Sequence, residues 1–138
     1  MYNIYFYLVL AGLLTILQWT PYIVARLFVW GPALFLKNYP NNFPKEVPEQ
    51  PLWAERAQRA HLNMVETMPA FIAVALGAGL MAENDSSTLS AITSWCSVFL
   101  VARIAYAVVY ILGLPYLRTP VYLVSWFSIL AIGFTALV

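Results

Sequence analysis

Residues 55–71 read ERAQRAHLNMVETMPAF, from Glu55 to Phe71. Two arginines, a histidine, an asparagine and two glutamates stand here at the mouth of a long apolar run. At about 100° per residue, Arg59, Asn63 and Glu66 fall within roughly 60° of one another, and Arg56 lies one turn earlier on the edge of that face. His61 and Glu55 point elsewhere. The stretch therefore predicts a helix with a polar ladder that descends about 15 Å along an otherwise apolar rod.

The rest of the chain has the same character. Of 138 residues, 62% are hydrophobic and 9% charged. A soluble domain carries about a quarter charged residues. Residues 2–30, 64–82, 89–112 and 120–138 are apolar runs, each near the ~20 residues that cross a bilayer. The expected fold is all-α: one integral membrane four-helix domain over residues 1–138. A net charge of +1 gives no basic face for nucleic acid. The first run lacks a basic leader and a small-residue cleavage site, and it is too long for a signal segment, so it reads as a retained helix. Cys96 is the single cysteine and excludes an intrachain disulfide; it reads as a packed thiol.

Helix 1 is expected from about Asn3 to Trp30, with a kink at Pro21. The segment 37–53 carries four prolines and is a loop. Helix 2 starts near Trp53, with Pro69 as a second kink. The run 82–88 is a turn in which Asp85 or Ser86 caps helix 3. Residues 113–120 join helices 3 and 4. Gly77 and Gly79, with Ala73 and Ala75, indicate close helix packing. Arg26, Lys37, Lys45, Arg56 and Arg59 flank the first loop and Arg118 the third, whereas the second holds only Glu83 and Asp85. That bias places loops one and three in the cytoplasm and both termini outside.

Helix 3 supplies a polar face of its own, with Arg103, Tyr106 and Tyr110 in VARIAYAVVY. In an antiparallel pair, Arg103 and Glu66 come to depths that agree within about one turn. The expectation is Glu66 against Arg103, with Tyr110 near Arg59. Charges at that depth pair or line a polar cavity. A buried pair that merely fixes helix register is the alternative, but it would need neither Arg56, Arg59 and Asn63 nor two tyrosines beside it. His61 reads as a helix-surface or interface residue. There is no second histidine and no carboxylate cluster suited to a metal.

These residues resemble the MAPEG family, the membrane-associated proteins in eicosanoid and glutathione metabolism. Its E-R-x-x-R-A-x-x-N-x-x-E run is matched by Glu55, Arg56, Arg59, Ala60, Asn63 and Glu66. Its helix 3 arginine, followed seven residues later by a tyrosine, is matched by Arg103 and Tyr110. The resemblance, to a microbial-type member, covers essentially the whole chain. It implies a homotrimer in a bacterial inner membrane with a site between subunits. There glutathione would be held by Arg56, Arg59, Asn63, Glu66, Arg103, Tyr106 and Tyr110. It further implies transferase or peroxidase activity on hydrophobic small-molecule electrophiles, with membrane lipid as a further partner. Eicosanoid-pathway members often carry an arginine before the asparagine, where Leu62 stands here, and another near the start of helix 4 over the thiol. In RTPVYLVSW the groups available for that second role are Arg118 and Tyr122. Two rival readings are a catalytically silent membrane protein that binds lipid or another anion, and a small multidrug exporter. The exporters depend on an acid in helix 1, and this helix 1 has none.

Overall fold

The computed structural model describes residues 3–37 and 48–138. Lys45 and most of the proline-rich loop lie outside the described residues. Among those described there are four helices and no strand: α1 (Ile4–Phe35), α2 (Leu52–Met81), α3 (Ser86–Leu112) and α4 (Arg118–Leu137). They contain 32, 30, 27 and 20 residues, and all four are long and apolar enough to cross a membrane. At about 1.5 Å per residue even the shortest covers roughly 30 Å, the thickness of a hydrocarbon core. This fits a multi-pass integral membrane protein.

The ends follow from local chemistry. Asn3 caps α1, its Oδ1 accepting from the Phe6 N–H at 3.0 Å. The helical dihedrals of α1 run on through Pro21. The break comes at Gly31, with φ 74° and ψ 161°. Pro32 bars the α region to the residue before it, and the positive φ needs a glycine. The kink thus lies at the expected end of the helix near Trp30. Likewise α2 passes Pro69 without leaving helical dihedrals. Asp85 caps α3, accepting from the N–H groups of Ser87 at 2.9 Å and Thr88 at 3.3 Å. The left-handed Gly113, φ 68°, closes α3.

The core lies where α2, α3 and α4 meet and where α1 covers α2 and α3. Met64, Phe71, Ile92, Cys96, Phe99 and Ile132 are fully buried. The rings of Phe71 and Phe99 stack with centroids 3.9 Å apart. Ala54, Ala57, Ala60, Ala75 and Ala78 are buried along α2, and small side chains there let neighbouring backbones approach. Of the small residues expected to serve that purpose, Ala75 is buried and Gly79 faces Ile4, while Ala73 and Gly77 face outward. The outer surface carries Ile16, Phe28, Leu80, Val101 and Phe134. Such a surface suits hydrocarbon and is too apolar for water.

Candidate functional site

The polar face of α2 opens onto a cavity of about 410 Å³. From α2 come Arg59, Leu62, Asn63 and Glu66, from α3 Tyr106 and Tyr110, and from α4 Arg118, Thr119 and Tyr122. Helical phase alone accounts for the α2 set, since positions 59, 62, 63 and 66 recur at three and four residues. Two recesses adjoin it. One, of about 240 Å³, shares Tyr110, Arg118 and Thr119 and reaches the α3–α4 turn at Gly113, Leu114, Pro115 and Tyr116. The other, of about 290 Å³, shares Asn63, Glu66 and Tyr122 and runs toward the apolar Trp126, Ile129 and Leu130. One flank of the cavity thus leads to the chain's polar end and the other into its greasy middle.

Arg103 stands behind the cavity wall and is only 1% exposed. Its Nη2 donates to Asn63 Oδ1 at 2.9 Å and its Nε to Met64 Sδ at 3.2 Å, while Nη1 has no hydrogen-bond partner among the described residues. The guanidinium carbon lies 4.9 Å from the centre of the Tyr106 ring and 6.0 Å from that of Tyr122. Both distances are in the cation–π range. The expected Glu66–Arg103 pair is therefore replaced by Arg103 on Asn63, about one turn nearer the start of α2. Antiparallel depth from sequence is good only to about a turn, and here that turn decides the partner. Glu66 is exposed to the cavity, and among the described residues no ion pair forms at it.

The tyrosines form the opposite wall. Tyr106 lies 5.5 Å from Tyr110 and 6.0 Å from Tyr122, centre to centre. Arg118 sits over Tyr110 at 5.2 Å, which brings its charge to the cavity from the first turn of α4. Arg59 and Tyr110, expected near one another, line the same space. Arg56 is set apart. It does not line the cavity, and a Cβ built on Gly113 would fall on its guanidinium. It packs against the C-terminal end of α3, where a cation suits the helix dipole.

A second polar cluster lies on the other side of α2, against α1. The Tyr22 hydroxyl and His61 Nδ1 are 2.9 Å apart, and Arg26 Nη2 donates to Gln58 Oε1 at 3.3 Å. The Arg26 guanidinium also sits 5.0 Å from the centre of the Trp30 ring. So His61 is an interface residue between α1 and α2. Tyr22 was not singled out by the sequence, although Tyr22 and Arg26, four residues apart, face the phase of Gln58 and His61. Thr119 was missed as a lining residue too, having no charge or spacing to mark it.

Neither the curated proteins nor the solved structures hold a significant match to the chain. The MAPEG family model does match, over residues 4–138. With four described helices long and apolar enough to span a membrane and the arginine–asparagine–glutamate ladder of α2 facing tyrosines of α3, the chain belongs to the MAPEG family.

Proposed function

We propose that the cavity between α2, α3 and α4 binds glutathione and that the protein is a membrane glutathione transferase or peroxidase acting on hydrophobic electrophiles. The observation that carries this reading is the cavity lining: Arg59 and Arg118, one unpaired glutamate, Asn63 and three tyrosines around one space of about 410 Å³. Glutathione has two carboxylates, one ammonium and a thiol. Guanidinium groups bind carboxylates bidentately, so Arg59 and Arg118 suit the two acids. Glu66, which forms no ion pair among the described residues, suits the ammonium. Arg56 is better placed to brace the α3–α4 turn than to touch the ligand.

Chemistry needs the thiolate. Three arginines around or behind the cavity favour the anion, and the Tyr122 phenol is the group best suited to donate a hydrogen bond to it. In a transfer reaction the thiolate sulfur bonds to the electrophilic carbon, the leaving group departs with its electron pair, and the thiol proton is released. In the peroxidase reaction two glutathione molecules reduce one hydroperoxide to alcohol and water and become a disulfide. The recess toward Trp126, Ile129 and Leu130 supplies an apolar berth for the second substrate. The family reading extends to a homotrimer in a bacterial inner membrane, with the α3–α4 turn on the cytoplasmic side, where glutathione is dissolved.

The test is calorimetry of glutathione with detergent-purified protein, followed by conjugation to an aryl halide. Saturable binding and thiol-dependent turnover are expected. Absence of both would remove the reading and leave a silent membrane protein.

A further inference from the structure

We infer that Arg103 is a positioning residue: it holds the Asn63 side chain with its amide nitrogen turned into the cavity, so that the ligand group met there is a hydrogen-bond acceptor. A guanidinium has donors and no acceptor. The Asn63 atom that meets Nη2 at 2.9 Å is therefore the carbonyl oxygen. The amide nitrogen is left on the other side. It donates to no described residue, and Asn63 is one of the cavity's lining residues. The backbone of Asn63 is held as well, its carbonyl accepting from Thr67 Oγ1 at 2.7 Å.

The orientation is enforced from behind. Arg103 is almost fully sealed, and its Nη1 has no hydrogen-bond partner among the described residues. Its Nε meets only a thioether, which is a weak acceptor. Among the described residues, Asn63 Oδ1 is the one oxygen that accepts from it. Turning the amide over would set two donors face to face and leave a buried cation without any oxygen. A sealed charge thus fixes the polarity of a group it shares with the site. An acceptor such as a carboxylate or peptide carbonyl is selected at Asn63, and an ammonium is refused there. That steers a ligand's ammonium one turn along α2 to Glu66.

The ligand-facing half of this inference rests on the glutathione reading above; the Arg103–Asn63 half does not. The experiment compares wild type, Asn63→Asp and Asn63→Ala in detergent, by thermal unfolding and by glutathione calorimetry. Asn63→Asp keeps an acceptor for Arg103 and removes the outward donor. It is expected to melt at or above wild type yet bind glutathione roughly ten- to a hundredfold more weakly, the span of one hydrogen bond to a charged group. Asn63→Ala removes both groups and is expected to lose melting temperature and binding together. If Asn63→Asp melts below Asn63→Ala, the carbonyl does not face the guanidinium and the inference is overturned. Full binding by Asn63→Asp overturns it as well. If wild type takes up no glutathione, the glutathione reading falls, while the order of melting temperatures still decides how Arg103 holds Asn63.

Discussion

Arg103 is bonded to Asn63 at 2.9 Å, and Glu66, one turn further along α2, is left facing the cavity. Stability and ligand recognition are thereby divided between neighbouring polar residues. The buried cation is held by a neutral amide and two aromatic faces, with Nη1 left without a hydrogen-bond partner among the described residues, and the carboxylate is open to something that enters from outside the chain.

The first consequence concerns Glu66→Gln. Breaking a buried ion pair costs about 3–5 kcal/mol, whereas a change at a group without a partner stays within about 0.5 kcal/mol. Glu66→Gln should therefore melt within a degree or two of wild type. Glutathione binding should fall about tenfold or more, because a charged contact to the ammonium becomes a neutral one. A large loss of melting temperature would restore the ion pair and refute the division.

The helices and the ladder were legible in the sequence because they rest on one-dimensional signals. Apolar runs set the four helices, Asp85 or Ser86 marked the start of α3, where Asp85 proves to be the cap, and a phase of 100° per residue grouped Arg59, Asn63 and Glu66. What was not legible depends on relative position. Whether Arg103 meets position 63 or 66 is a matter of one turn of sliding between antiparallel helices, and both residues are polar enough to accept. Arg56 shares the ladder's edge by phase, yet its place is set by Gly113, which is 57 residues away in sequence. Pro21 and Pro69 lie inside helices whose dihedrals stay helical around them, and the dihedrals leave the helix where a glycine precedes a proline, at Gly31, a break not among those expected from the sequence.

Gly113 is the second place to intervene. Its φ of 68° is left-handed, and a side chain there would strike the Arg56 guanidinium. Gly113→Ala should destabilise the protein by about 1–2 kcal/mol from the backbone term, plus a steric part. Arg56→Ala should relieve the steric part alone. A double-mutant cycle read by thermal unfolding should show the two changes costing less together than their sum. Strict additivity would mean that Arg56 does not pack on the turn.

Asp85 gives a prediction in pH. Hydrogen bonds from the Thr88 and Ser87 side chains, then from their backbone N–H groups, lower its pKa from 3.8 to about 2. The folded protein holds the carboxylate ionised more readily than the unfolded chain does. The cap's contribution is therefore complete above about pH 4 and fades as pH falls through 2. Asp85→Asn keeps a capping oxygen but cannot titrate. The difference in melting temperature between wild type and Asp85→Asn should be constant from pH 7 to 5 and shrink between pH 4 and 2. A difference that does not change over that interval would mean that the cap does not titrate.

Tyr122 separates catalysis from assembly. Its hydroxyl has no hydrogen-bond partner among the described residues, and Ser125 Oγ bonds its backbone carbonyl instead, at 2.7 Å. Tyr122→Phe should therefore leave the melting temperature unchanged, and the Arg103–ring contact should persist because the ring remains. If the phenol donates to the developing thiolate, kcat for conjugation should fall by roughly a hundredfold, the usual loss for one donor at a forming anion. The KM for glutathione should move little, since Arg59, Glu66 and Arg118 still hold the peptide. The pH–rate profile should shift upward, because a thiolate with one donor fewer forms at higher pH. If instead kcat and the pH profile are unchanged, Tyr122 is a wall of the cavity, and thiol activation belongs to Arg118, whose substitution by methionine should then produce the loss.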